Sequence, residues 1–415
     1  MKIVLIIAWR NLWRRARRTL LTVASAASGL ALLLIFLGIG DGGHSQMIES
    51  AVRMGSGHVV IQQKGYRERG GIDRVLDENQ LRMAESWAKS ATGKFPIRYI
   101  ARRTFASGLA SSSDGATGVL IIGIQPGVER EASQFDDKLI KGEFLTPDDR
   151  DRVIIGEGVA RKLSLDVGQK LVLMAQAAHV AEIQSRLVRV GGIMRAGLEE
   201  FDQVVVLMPL TTSQQLLMLD GEVHQVALLM DSEHLSEDLA SLGKKQLPEM
   251  EVLSWGEVLP ELKDFIRIDD GGNYLFNLVI FLLIGFTVLN TLLMSVLERN
   301  REYALLDALG LTPGKRFAMV ILEATVIAAL AVVVGLTLGY GVHLYLHFYG
   351  LPLDLFYSGD ISAAGVTLDP VIYSDLSLNR IVGSMLLVFG LILMLALIPA
   401  RHAARRGDVH LLVQK

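Results

Sequence analysis

Four uncharged apolar runs set the plan of the chain: residues 19–40, 271–297, 324–342 and 381–400. Crossing about 30 Å of hydrocarbon takes roughly 20 helical residues, so each run is long enough to span a bilayer. The third run begins earlier, near Phe317, which puts Glu323 inside one end of it. Between the first two runs, residues 41–270 follow a different pattern. Short alternating or apolar stretches predict strands over 58–62, 97–104, 118–124, 152–155, 170–175, 186–194, 203–208 and 225–230. Helical spacing predicts helices over 79–91, 157–164, 211–219 and 234–246, with a last helical stretch over 255–268 leading into the second run. No regular strand–helix–strand repeat appears, so the domain reads as α+β rather than a doubly wound parallel sheet.

The predicted fold is therefore a four-span α-helical integral membrane protein with a large α+β domain between spans one and two. Its segments are 1–18, an interfacial helix; 19–40, the first span; 41–270, the large domain; and 271–297, the second span. There follow 298–316, a polar connection; 317–342, the third span; 343–380, a second connection; 381–400, the fourth span; and 401–415, a tail.

Charge orients these segments. Lys2, Arg10, Arg14, Arg15, Arg17 and Arg18 precede the first run with no acidic residue before Asp41, and Arg401, Arg405 and Arg406 follow the last. The connection 343–380 instead carries Asp354, Asp360, Asp369 and Asp375. The positive-inside rule puts both termini and residues 298–316 in the cytoplasm, and the large domain outside. The first run has 22 residues, longer than a cleaved signal's apolar region of about 7–15, which favours an uncleaved anchor. Ahead of it, Trp9, Leu12 and Trp13 form an apolar face whose neighbouring arginines can meet the headgroups of membrane lipid. The alternative is a plain basic flank that only fixes topology.

Composition narrows the chemistry. With 51% hydrophobic residues and a mean hydropathy of +0.38, the chain mixes spans with a water-facing domain. A net charge of −3 suggests no nucleic-acid partner, and the absence of cysteine excludes disulfides, thiolate metal sites and thiol nucleophiles. His44, His58, His179, His224 and His234 have no paired ligand spacing, so no metal site is expected. There is no Gly-x-Ser-x-Gly elbow. Gly156-Glu157-Gly158 lacks the Lys-Ser/Thr of a phosphate loop, and Glu199-Glu200 reads as solvated loop. No catalytic or nucleotide-binding residue is predicted; the chain reads as a non-enzyme without a cofactor of its own.

The most informative stretch is 294–324, MSVLERNREYALLDALGLTPGKRFAMVILEA. Leu305, Leu306 and Leu309 fall on one face of a short helix that starts at Glu302 and stops at Gly310 and Pro313-Gly314. Such a helix, tethered between two spans, either lies in the headgroup layer or docks in a groove of a soluble partner. Met294, Val296, Glu298, Arg299, Arg301, Glu302, Ala308, Leu309 and Gly310, followed by Leu322-Glu323-Ala324, resemble the coupling loop of the FtsX-like, MacB-type ABC transporter permease family. The one departure is Leu311, where that family usually has alanine. Residues 153–163, VIIGEGVARKL, and 57–62, GHVVIQ, resemble segments of the family's outer domain, the second those of its LolC/LolE lipoprotein-release branch.

The resemblance implies a two-lobed outer domain (porter and sabre), with the inserted lobe over about residues 125–200. It also implies a dimer of cytoplasmic ABC ATPases, carrying ATP and magnesium, docked at residues 302–310. A second permease subunit, identical or a sibling, would complete the unit in a bacterial inner membrane, with a periplasmic carrier or adaptor beyond it. The implied activity is mechanotransmission, the release of a lipoprotein or lipid-like cargo; the alternatives are MacB-like efflux through an adaptor and outer-membrane channel, or an FtsX-like signalling scaffold. Two further features are weighed in the spans. Glu323 forms an ion pair with Arg316 or an entry-helix arginine, or acts as a proton relay. Ser25-x-x-x-Gly29 and Gly335-x-x-x-Gly339 allow close helix approach, within one subunit or between two, with the first span assigned to the subunit–subunit face.

Overall fold

The computed structural model describes residues 14, 16–299, 302–305, 311–353, 362–363, 366–367 and 370–405. Two compact units divide it. One comprises residues up to 44, 267–353 and 371–405; the other is built from residues 45–266.

The first unit is helical. Ala16–Ala51, Pro260–Glu298, Pro313–Tyr349 and Leu378–Arg405 are each long and apolar enough to cross a membrane. All four outrun the apolar runs within them. The first continues past Gly40 through Asp41, His44 and Glu49, because apolarity marks what lipid requires, whereas helical backbone bonds continue wherever side chains permit. No break separates residue 18 from residue 19, so Ala16–Arg18 already belong to the first span's helix; residues 1–13 of the expected entry helix lie outside the described residues. Pro260 and Pro313 stand in first turns, where the missing N–H costs no intrahelical bond.

One side of each helix turns inward at three- and four-residue spacing. Ala26, Leu30 and Leu33 of the first span meet Ile284 and Val288 of the second, Ala324, Ala328 and Ala331 of the third, and Val388, Ile392 and Ala396 of the fourth. The opposite side leaves Leu275, Leu282, Leu283 and Phe286 exposed, which in water would be costly and in lipid is not. A β-carbon at Gly335 would stand 2.8 Å from the Ala27 carbonyl oxygen, and one at Gly339 would stand 2.9 Å from Ala31 Cα. Gly29 in turn lies against Ile284, and Ser25 is half-buried. The small residues therefore pack spans of one chain against each other. For Gly29 this is the within-chain packing that the small-residue spacing allows, its neighbour being the second span.

The second unit is built on a ten-stranded sheet: β1 Val59–Gln63, β2 Ile97–Ser111, β3 Ala116–Ile124, β4 Leu139–Gly142, β5 Arg152–Gly156, β6 Lys170–Gln176, β7 Ile183–Met194, β8 Val205–Pro209, β9 Gln225–Met230 and β10 Met250–Ser254. The order is β10-β1-β9-β2-β3-β8-β5-β7-β4, with β6 bridging β2 and β7. Most pairs are antiparallel; β3–β8 and β5–β7 are parallel. The 15-residue β2 belongs to both lobes. Its first half pairs with β9 and its second half with β3 and β6. Helices Glu78–Ala91 and Ser236–Gln246 close one core over β1, β9 and β10, with Trp87 and Leu239 buried between them. Two further cores line the faces of the other lobe, one around Ile121, Val153 and Leu173, the other around Ile122, Phe135 and Leu207. That lobe draws on strands from Thr104 to Pro209, wider than the expected 125–200.

β4 and β10, absent from the predicted strands, are the two ends of the sheet order. An edge strand keeps one flank in water and needs little apolar alternation, so its pattern is faint. Helix Pro126–Ala132 also goes beyond the predicted elements. The expected continuous helix over 255–268 breaks at Leu259, because Pro260 begins a new helix.

Candidate functional site

The polar ends of spans one, two and three meet around Arg299, Tyr303 and Glu323. Val296, near the end of the second long helix, and Tyr303 beyond it are both buried with Met319, Val320, Ala400 and Ala403. Burial of Tyr303 and of Ala304 beside it draws the start of the connection between spans two and three against the bundle. Residues 302–305 are helical, as the spacing predicts. Leu305 is instead 56% exposed. The inward face of this short helix is thus Tyr303–Ala304, while the leucine expected to define an apolar face looks away from the chain's own core.

Ion pairs among the described residues surround that anchor. Arg18 donates from both terminal nitrogens to Glu298, at 2.9 Å each, tying the first helix to the end of the second. Arg14 Nη1 donates to Glu302 Oε1 at 3.3 Å, with both side chains exposed. Arg299 Nη1 donates to Glu323 Oε1 at 2.7 Å, and this pair is buried, at 6% and 8% side-chain exposure. Glu302 Oε2 stands 4.0 Å from Arg299 Nε, so a second carboxylate waits beside the same guanidinium. Arg299, beyond the expected candidates Arg316 and the entry-helix arginines, is thus one partner of Glu323. Arg316 is buried, and its Nη2 lies 3.5 Å from the carbonyl oxygen of Ala404 on the fourth helix. Burial, with the Glu323 charge adding to it, pushes the Tyr303 phenol up to about 12, so it remains neutral at physiological pH.

Glu298, Arg299, Glu302 and Glu323 are therefore brought together. Leu305 lies at the margin, whereas Ser25, Gly29, Gly335 and Gly339 lie along the bundle away from it. Arg301, Leu306, Ala308, Leu309 and Gly310 lie outside the described residues. Sequence reasoning missed Tyr303 and Ala304. The leucines that follow, with their clear spacing, drew attention away from them. Among the described residues no group of three or more histidines and carboxylates is placed to hold a metal ion. What the arrangement can do is mechanical: it joins the ends of three helices through pairs of graded burial and presents an apolar side chain outward.

Residues 19–241 match the family described as the MacB-like periplasmic core domain, and residues 274–407 match the FtsX-like permease C-terminal family. The lipoprotein-releasing system transmembrane protein LolC of Neisseria meningitidis is 25% identical over 303 residues, covering 71% of this chain and 69% of that protein. The macrolide export ATP-binding/permease protein MacB of Hyphomonas neptunium is 25% identical over 431 aligned residues, covering 97% of this chain but 59% of that protein. Among solved structures, the periplasmic region of MacB from Actinobacillus actinomycetemcomitans is similar at 15% identity and a TM-score of 0.34, covering 52% of this chain and 98% of that one.

Proposed function

Because this chain belongs to the FtsX-like, MacB-type ABC transporter permease family, we propose that it converts the closure of a separate cytoplasmic ATPase pair into motion of its periplasmic domain. The segment 302–310, helical over residues 302–305, docks in a groove of that ATPase, which carries the ATP and magnesium. Both termini lie in the cytoplasm of a cell with the chain in its inner membrane. A second permease subunit completes the assembly. The cargo is a lipoprotein or lipid-like molecule released from the membrane.

The observation that carries this reading is the split at the coupling helix. Tyr303 and Ala304 are each 1% exposed and anchor it inward, while Leu305 beside them is 56% exposed. A helix that merely rested on lipid would have no need of a buried polar anchor; a lever needs one end held and the other free. The Arg299–Glu323 pair then links the second span to the third, so a push on the helix reaches both. Macrolide-type efflux with an adaptor is the second reading, supported by the longer alignment with MacB.

Replacing Leu305 and Leu309 with aspartate tests the docking. The expected result is loss of ATPase co-purification from membranes that still contain the permease; retention would refute the lever. Mass spectrometry of molecules co-purifying with the intact assembly separates the two cargo readings.

A further inference from the structure

A cleft of about 580 Å³ opens in the periplasmic unit, within the 300–1,000 Å³ range of small-molecule sites. All of its lining residues belong to that unit. Met54 and Leu262 stand on the helical segments that adjoin spans one and two in sequence, and Phe105, Leu120 and Ile122 form the sheet wall. Phe201 is also among the lining residues. The polar groups of the floor are already engaged: Gln225 Nε2 donates to the Ser56 carbonyl at 3.3 Å.

Two features define what fits. First, the cleft continues into an exposed strip. Phe105 pairs with Ile122, and Gly118 with Leu109, so two-residue steps keep Phe105, Leu120, Ile122 and Leu109 on one sheet face. Leu109 pairs with Met174, and Val172, two residues before Met174, pairs with Leu187. Leu109 is 38% exposed and Leu187 is 54% exposed, so apolar side chains continue uncovered beyond the cleft, with Ser107 and Ser185 among them. A long, thin apolar ligand matches that shape better than a compact one. Second, the lining carries one exposed cation, Arg67, and one exposed anion, Glu261, neither of which makes an ion pair among the described residues. One free charge of each sign is the complement of a zwitterionic head, a phosphate beside an ammonium.

We propose that this cleft binds one acyl chain of a zwitterionic phospholipid, with its phosphate at Arg67 and its ammonium at Glu261. The inference rests on the reading of a lipid-like cargo above and names the lipid class. The chain slides between the sheet wall and Met54 and Leu262, and the strip through Leu109 and Leu187 receives it as it leaves.

The test uses the full chain in nanodiscs containing phosphatidylethanolamine with a photoreactive diazirine at the end of one acyl chain. Illumination and peptide mass spectrometry should place adducts on the segments holding Phe105, Ile122 and Phe201. Leu120→Trp should lower those adducts at least fivefold while adducts on the spans, an internal control for folding and insertion, stay constant. Arg67→Glu, a change at an exposed position, should lower the cleft adducts at least threefold. Adducts confined to the spans would overturn the proposal, as would cleft labelling indifferent to both variants. So would a diazirine-bearing triacylated lipopeptide that labels the cleft where phosphatidylethanolamine does not. Absent cleft adducts in an assembly that still holds its ATPase would sink this inference alone. Loss of docking would sink the transporter reading and leave the adducts standing.

Discussion

Each half of the molecule contains a buried arginine–glutamate pair, and the two are built for different work. In the periplasmic unit Arg103 on β2 holds Glu129 through two hydrogen bonds, 2.6 and 3.0 Å, with both side chains 0% exposed. Its remaining terminal nitrogen donates to the carbonyl of Gly55, in the π-helical turn Val52–Ser56 that follows the first long helix. Gly55 adopts a φ of +141°, which side-chain-bearing residues avoid, so the turn depends on glycine and on that arginine together. In the helical unit Arg299 donates to Glu323 at 2.7 Å, with half-exposed Glu302 within 4.0 Å. The first pair is walled in and has no competing carboxylate among its described contacts. The second sits at a margin where a partner can be exchanged. A buried charge with a single arrangement fixes a joint; one with two arrangements at hand suits a part that moves.

The largest expected effect comes from breaking the walled pair. Arg103→Ala or Glu129→Ala should destabilise the periplasmic unit by about 3–5 kcal/mol, because the remaining charge is stranded without water. Arg103→Met with Glu129→Leu should recover most of that loss. Urea unfolding followed by Trp87 fluorescence measures both, and singles as mild as the double would remove the contrast drawn here.

Acid should separate the same two regions with a somewhat smaller effect. His58, 1% exposed, accepts a hydrogen bond at Nδ1 from the Met230 amide, and burial lowers its pKa from 6.5 to about 4. The unfolded chain takes up this proton near pH 6.5 and the folded one only near pH 4, so stability is fully present above pH 6.5 and falls as the pH drops between them. The loss at pH 4 should be roughly 3 kcal/mol, at 1.36 kcal/mol per unit. Protonation would also bring into play the Glu49 carboxylate, 3.6 Å from Nε2. His58→Asn keeps an acceptor but does not titrate, and should flatten the decline between pH 7 and pH 4.5. A slope unchanged by that variant would assign the acid sensitivity elsewhere.

The smallest effects belong to the margin. Glu323→Gln should cost about 1.5–3 kcal/mol, since Arg299 can turn towards Glu302. Arg18→Ala removes a half-exposed pair with Glu298 and should cost about 0–1 kcal/mol. Thermal denaturation of the purified permease ranks the two; equal losses would mean that burial does not distinguish these pairs.

Much of this architecture was legible in advance. A run such as residues 381–400 has few destinations other than a bilayer, and the strands from His58 to Met230 showed themselves wherever both flanks were to be covered. β4, with its Lys141, and β10 did not, because edge strands carry little pattern. The order of the sheet was also hidden. β1 lies between β9 and β10, 160 residues or more further along the chain, and no local period encodes such a pairing. At the coupling segment, the periodicity of Leu305, Leu306 and Leu309 announced an apolar face but could not say whether the chain itself would cover it.

The amino-acid order alone determined what each stretch can tolerate around it: lipid beside the four runs, water and a shared core for residues 41–270, and a charged, short helix between spans two and three. Those are properties of neighbouring residues and of the cost of leaving apolar or polar groups in the wrong solvent. Only the tertiary structure decided which distant partners satisfy one another: Arg299 with Glu323, Arg103 with Glu129 and the Gly55 carbonyl, Gly335 with the backbone of Ala27. Pairing is a matter of distance after folding, and the chain written in a line contains no distances.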